Sequence, residues 1–416
     1  MRRFSLALAL ALTTGAYSVA DAAHLTIGPL VQSVGPDHFT VIFETDQPTT
    51  GAVKVGVQEV ATPLGTHHEA TLTGLAPESK HGYSVLLAGQ PVDGGEVVTA
   101  PPDGASRPVT FLVYGDNRDA RPEVTAALVT AMIKEGAAFA LHTGDMVASG
   151  GDEAKWHDFF DGEKAMLRNL PVFPVAGNHE LHADEGASHL LRYYSAPAPF
   201  RAHRWYAFRW GDLAFIALDG NQMVEEQTRF LEAELAAAKG ARHVFVFMHQ
   251  PPLSTGHHCG AGAYQAAWVH LLEAHHARAV FAGHDHAYER LERGGIRYFI
   301  SGGGGAPIYE ERMDCNAADH SARRAYSAEH HYLRVRITGE EVDVAVQRLG
   351  SDDPPIETVR WLASAPAPVT AIAAPDLEVP PRRPARAWPI PVVVAFVTAL
   401  LIFVFRQRRN RRNRNR

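Results

Sequence analysis

The chain is 416 residues long, carries a formal net charge of −7 and contains two cysteines. That length allows more than one domain, and two cysteines permit only one intramolecular bridge; neither sits in a C-x-x-C zinc or redox motif. Arginines within residues 406–416 contribute +7 and residues 1–22 add +1, so residues 23–405 hold −15, an acidity that argues against general binding to nucleic acid or anionic surfaces.

Arg2 and Arg3 precede the short apolar run Leu6 to Leu12, and small residues follow as far as Ala20-Asp21-Ala22. The run is too short to span a bilayer, so residues 1–22 read as a secretory signal peptide cleaved after Ala22. Residues 23–102 read as a small all-β sandwich: His38 to Glu44 alternates, Ala52 to Val57 alternates again, and Gly, Pro and Asp clusters separate such runs. Leu75-Ala76-Pro77 followed by Tyr83-Ser84-Val85 resembles the strand-entry signature of fibronectin type III domains, with His81 where that family has its corner tyrosine. Pro101-Pro102-Asp103-Gly104 marks a linker.

Residues 107–362 change character, and apolar strands alternate with helical patterns as in an α/β domain. Val109 to Tyr114 predicts a strand covered on both faces, and Pro122 opens a helix running to Lys134. Further strands are predicted at Phe139–His142, Val172–Ala176, Trp205–Trp210, Leu213–Leu218, His243–Met248 and Arg278–Phe281. The pair around Gly211-Asp212 reads as a hairpin, Gln227–Ala238 as a helix, and residues 296–301 and 331–348 as late strands. Residues 363–387 are an Ala- and Pro-rich extended linker. Residues 388–405 carry no charge and are long enough for a single transmembrane helix, and the arginines of 406–416 read as a cytoplasmic tail rather than a nucleic-acid arm. The expected protein is therefore exported and membrane-anchored, with residues 23–387 on the extracytoplasmic side, periplasmic or at the cell surface.

Five short motifs end predicted strands: Gly115-Asp116-Asn117-Arg118, Gly144-Asp145, Gly177-Asn178-His179-Glu180, Met248-His249-Gln250 and Gly283-His284-Asp285-His286. In α/β folds, ligand groups converge in the loops beyond the carboxyl ends of strands. Two carboxylates, an amide oxygen and three imidazoles make a mixed donor set suited to zinc, iron or manganese. A lone Gly-Asp is usually a turn and a lone strand-end histidine usually structural. Five such motifs in this order, each closing a strand, point to a metal site.

This ordered set resembles the calcineurin-like metallophosphoesterase superfamily, and the β-domain in front resembles its purple acid phosphatase branch. The resemblance implies a four-layer α/β sandwich holding two metal ions (Fe, Zn or Mn) bridged by Asp145. Asp116, Asp145 and His286 would hold the first, and Asp145, Asn178, His249 and His284 the second. It further implies hydrolysis of phosphomonoesters, acid phosphatase-like, by metal-bound hydroxide, with His179 as transition-state stabiliser or general acid. His257 and His258 lie near where that branch places substrate-binding histidines. Phosphodiester hydrolysis on the same core is the alternative. A non-catalytic adhesion protein is disfavoured because all six ligands and His179 are present.

Two positions depart from the pattern. Arg118 stands where many members carry a further metal-binding histidine, and a guanidinium grips phosphate rather than metal. Ala148 stands where the purple enzymes carry their metal-binding tyrosine, so their charge-transfer colour is not expected. Gly302 to Gly305 lacks the Lys-Ser/Thr ending of a P-loop and reads as backbone clearance beside the site. Finally, Cys259 and Cys315 lie in two long loops expected on the same face, and an oxidising compartment would let them form a disulfide near the entrance.

Overall fold

Alternation between Leu25 and Val98 builds one bent sheet. The computed structural model describes residues 22–275, 277–311, 314–349 and 354–363. In it, β1 (Leu25–Gln32), β2 (His38–Val55), β3 (Gln58–Thr73), β4 (Lys80–Leu87) and β5 (Gln90–Val98) form a five-stranded antiparallel sheet. The two runs read as separate strands are one long strand, β2, whose register shifts between Glu44 and Gly51. Its first part pairs with β1 and its last residues with β4, while β3 follows it throughout. The sheet folds over at that shift, so Phe39 of β2 comes to 5.9 Å from Tyr83 of β4. The domain is all-β, as expected, but its two layers are parts of a single sheet. His81 places its Nε2 3.2 Å from the Ala76 carbonyl oxygen.

The following residues form two facing sheets. One joins the parallel strands β6 (Val109–Tyr114), β7 (Phe139–His142) and β8 (Val172–Pro174). The hairpin β9 (Tyr206–Trp210) and β10 (Leu213–Ala217) starts the other, which continues in parallel through β11 (His243–Phe247) and β12 (Ala279–Ala282). Its far edge is β14 (Ile296–Ser301), then β13 (Tyr288–Arg293), then β15 (Arg323–Ser327). The first sheet is completed by β16 (His331–Thr338), antiparallel to β6, and by β17 (Glu341–Arg348) and β18 (Glu357–Leu362).

Period-two alternation explains the stacking. Phe215, Phe245 and Phe281 from β10, β11 and β12 meet the ring of Phe111 on β6 at 5.3, 5.6 and 6.1 Å. Their sequence neighbours Ile216, Val246 and Val280 face the opposite way, into a second core with Leu231, Leu235, Trp268 and Leu272. Helices α1 (Pro122–Lys134) and α2 (Glu153–Leu167) cover the outer face of the first sheet. Helix Glu225–Ala237 and the helical turns Gln265–Val269 and His270–Ala274 cover that of the second. The result is the expected four-layer sandwich. Helix α2 has no counterpart in the sequence reading, although Asp152 caps it through the Ala154 amide.

The β-domain and the sandwich share one hydrophobic core. Polar ties reinforce the joint: the Tyr83 hydroxyl donates to the Arg168 carbonyl at 2.8 Å, and Arg192 reaches the buried Glu44 at 2.6 Å. The expected leader up to Asp21, the linker beyond Ala363, the 388–405 span and the basic tail lie outside the described residues. Among the described residues, no helix is long and apolar enough to cross a membrane.

Candidate metal centre

Every strand-end motif delivers its residue to one place. Asp116 follows β6, Asp145 follows β7, Asn178 follows β8, His249 follows β11 and His284 follows β12. Asp116, Asp145 and His284 adopt left-handed backbone with φ of 57°, 56° and 72°. That conformation is unfavourable for residues with a Cβ, and such strain gathers at functional sites. The glycines in front are needed chiefly for close approach rather than for the turn alone. A Cβ on Gly177 would meet Asp145 Oδ1 at 2.1 Å, and one on Gly283 would meet Asp116 Oδ2 at 2.2 Å.

Two groups of donors result, each with atoms within 4.8 Å of one another: Asp145, His249 and His284, and Asp116, Asp145 and His286. They share Asp145. His249 Nε2 lies 3.3 Å from Asp145 Oδ1, 3.2 Å from Asn178 Oδ1 and 3.2 Å from His284 Nδ1. On the other side, His286 Nε2 lies 3.6 Å from Asp116 Oδ1. Backbone carbonyls orient the rings: Thr143 oxygen is 2.7 Å from His249 Nδ1, and Pro307 oxygen is 2.8 Å from His286 Nδ1. A donated Nδ1 proton leaves Nε2 of both rings as a lone-pair donor facing inward.

The electrostatics fit cations. Burial and the neighbouring Asp145 carboxylate raise Asp116 well above the usual carboxylate range. A positive charge between these two acids would remove that conflict. Burial opposes ionisation of Asp145 too, but His249 and His179 outweigh it and hold the group low. Burial likewise lowers His249, yet Asp145 and Asp116 overcome it and raise the imidazole to about 10. A metal ion binding there must displace that proton, so its affinity weakens as the pH is lowered. His284 and His286 are lowered by burial to about 3 and about 4, and stay neutral as ligands must.

Around the cluster stand the other expected residues. His179 donates its Nδ1 proton to the Ala148 carbonyl, 2.7 Å away, while its Nε2 is 3.9 Å from Asp145 Oδ2. Ala148 thus serves the site through its backbone. Arg118 holds its Nε 3.6 Å from Asp145 Oδ2, and that buried Nε has no hydrogen-bond partner among the described residues. His258 stacks on His284 at 4.1 Å, and His257 lies beside His258. Asp285 accepts from the His258 amide at 2.7 Å and is 3.0 Å from its Nδ1. The Gly302 to Gly305 turn runs past the cluster, with the Gly304 amide donating to the Gly115 carbonyl at 3.0 Å. Cys259 and Cys315 form a disulfide with Cα atoms 5.5 Å apart, tying the His257-His258 loop to the chain after Tyr309.

Sequence reasoning missed several participants. Glu180, fully buried, accepts from the amides of Gly177, Asp145 and Met146 at 2.7–2.8 Å, holding two motifs together. Its place in Gly177-Asn178-His179-Glu180 was the available signal. Glu163 of α2 accepts from the Asn117 side-chain amide at 2.6 Å and from the Tyr114 hydroxyl at 2.8 Å. Asn117 in turn meets His142 at 2.8 Å. Tyr309 stacks on His286 at 3.9 Å and 12°. No sequence pattern pointed to Glu163 or Tyr309.

Comparison with known proteins agrees with this geometry. Residues 109–288 match the family model of the calcineurin-like phosphoesterases. Residues 22–104, read as fibronectin III-like, match a domain of unknown function (DUF7800). The chain is 28% identical over 295 residues to an uncharacterized protein of Mycobacterium tuberculosis, covering 58% of this chain and 55% of that one. It is 25% identical over 269 residues to a purple acid phosphatase of Glycine max, covering 59% and 58%. The chain therefore spans little more than half the length of these curated relatives. The structure of a purple acid phosphatase from yellow lupin (Lupinus luteus) seeds superposes with a TM-score of 0.70 at 17% identity, covering 84% of this chain and 78% of that one. At such identity the likeness is one of fold.

Proposed function

Since this chain carries a calcineurin-like phosphoesterase domain over residues 109–288, we propose that it hydrolyses phosphomonoesters at a binuclear metal centre. The observation that carries the reading is the buried Asp145 carboxylate, shared by two donor groups. Asp116, Asp145 and His286 would hold one ion, and Asp145, Asn178, His249 and His284 the other, as zinc, iron or manganese. Bound there, two such ions would supply the charge that clamps phosphoryl oxygens and acidifies a water.

The chain's own residues do the rest. Arg118 presents its guanidinium to a phosphoryl oxygen. His257 and His258 meet the phosphate from the opposite loop, with His258 oriented by Asp285. His179, its Nδ1 engaged by Ala148, is left with Nε2 to hold a proton for the leaving oxygen. Four cationic or proton-bearing side chains around one anion suit the dianionic monoester better than a diester. Export to an oxidising compartment is part of the same reading, and the Cys259–Cys315 disulfide supports it.

Comparing p-nitrophenyl phosphate with its bis ester, with and without chelator, tests the proposal. Chelator-sensitive turnover that favours the monoester is the expected result. Preference for the bis ester would make the enzyme a phosphodiesterase, and no turnover of either would leave a binding protein.

A further inference from the structure

Tyr309 comes from a loop with no motif, yet it touches the site at three points. Its hydroxyl accepts from the Arg118 Nη2 at 3.0 Å. Its ring lies on His286, centroids 3.9 Å apart and planes 12° from parallel. Its amide donates to the His286 carbonyl at 3.0 Å, and the His257 ring stands 4.7 Å away. Because the hydroxyl accepts from Arg118, its own proton remains available to donate.

The Arg118 guanidinium is held on three sides, by Tyr309 at Nη2, by Asp119 at 3.5 Å from Nη1 and by Asp145 Oδ2 at 3.6 Å from Nε, and the Arg118 backbone amide donates to the Asp145 carbonyl at 3.0 Å. Its buried Nε has no hydrogen-bond partner among the described residues. A buried N–H of a charged group that makes no hydrogen bond is costly, and an incoming anionic oxygen would satisfy it. A long side chain normally loses rotamer freedom when it grips a ligand. The tyrosine removes that freedom beforehand.

We propose that Tyr309 is a substrate-positioning residue, whose hydroxyl locks the Arg118 guanidinium in place to receive a phosphoryl oxygen and whose ring fixes His286. The proposal rests on the phosphoesterase reading. It also gives Arg118 a reason to stand where related sites have a histidine: the position serves the anion rather than the metal.

Tyr309→Phe removes the hydroxyl and keeps the ring. The probes are inorganic phosphate, measured by calorimetry on the metal-loaded full chain, and p-nitrophenyl phosphate. Phosphate affinity should fall about 10-fold, the scale of a hydrogen bond to a charged group. KM should rise in parallel while kcat, metal content and melting temperature hold. In an Arg118→Ala background the same substitution should have little further effect. Unchanged phosphate affinity, or an equal loss in that background, overturns the proposal. So does a visible charge-transfer band in the iron-loaded protein that Tyr309→Phe abolishes, because Tyr309 would then be a metal ligand. Failure of the phosphoesterase reading looks different: phosphate binds with the expected Tyr309 dependence, but no ester turns over. A wild-type chain that binds no phosphate overturns both.

Discussion

The donor cluster and its rim are built in different ways. Asp116, Asp145, His249 and His286 are at most 2% exposed and sit two to four residues beyond strand ends. Carbonyl oxygens or backbone amides grip them, so their geometry is as rigid as the two sheets. Arg118, His179, His257, His258 and Tyr309 are partly or fully exposed, and most ride on loops held by side-chain contacts and one disulfide. The difference separates two tasks. On the proposed function, strand ends decide whether a cation is held, while the loops decide what is bound and how fast it reacts.

The strongest break of that division is at Asp145, the residue common to both donor groups. Asp145→Asn should lose metal and activity together, read by metal analysis alongside turnover. An active variant carrying two ions would remove Asp145 as a bridge.

His179 sharpens the contrast from the rim. His179→Ala should keep its metals while turnover drops by roughly 10²–10⁴, most for esters with poor leaving groups. Equal turnover would reduce this histidine to a structural part.

The disulfide offers a smaller effect, confined to the rim. It closes a separation of 56 residues, for which chain entropy allows up to about 4 kcal/mol. Because the bridge borders His257 and His258, mild reduction should raise KM several-fold at temperatures where circular dichroism shows no unfolding. Coincident loss of binding and fold would show that the bridge serves the whole domain.

The smallest expected effect concerns the support under the strand ends. Burial pushes Glu163 up to about 8 from its ordinary 4.5, despite bonds from Tyr114 and Asn117 that favour ionisation. The folded chain thus keeps a proton that the unfolded chain releases. The associated stability is complete below about pH 4.5 and is lost as pH rises through about 8. Melting points measured across that window should fall with pH in the wild type and less steeply in Glu163→Gln. A steeper fall in the variant would contradict a buried, protonated Glu163.

What the sequence determined by itself is local in origin. Period-two apolar runs imply strands, Pro122 starts α1 where expected, and a glycine before Asp116, Asp145, Asn178 and His284 marks where a strand must stop. Those features depend on a few adjacent residues, so the strands bearing Phe215, Phe245 and Phe281 and the convergence of Asp116, Asp145, His249, His284 and His286 in two donor groups were legible in the chain. The continuity of β2 through its register shift was not, because polar residues at the bend mimic a loop. Tertiary structure alone decided the pairs with no local signature. Arg118 and Tyr309 are separated by 191 residues, Asn117 and Glu163 by 46. Nothing in the composition of either partner selects the other. Such pairs form because two sheets pack face to face and bring the ends of distant strands within hydrogen-bond reach, and that geometry belongs to the folded molecule.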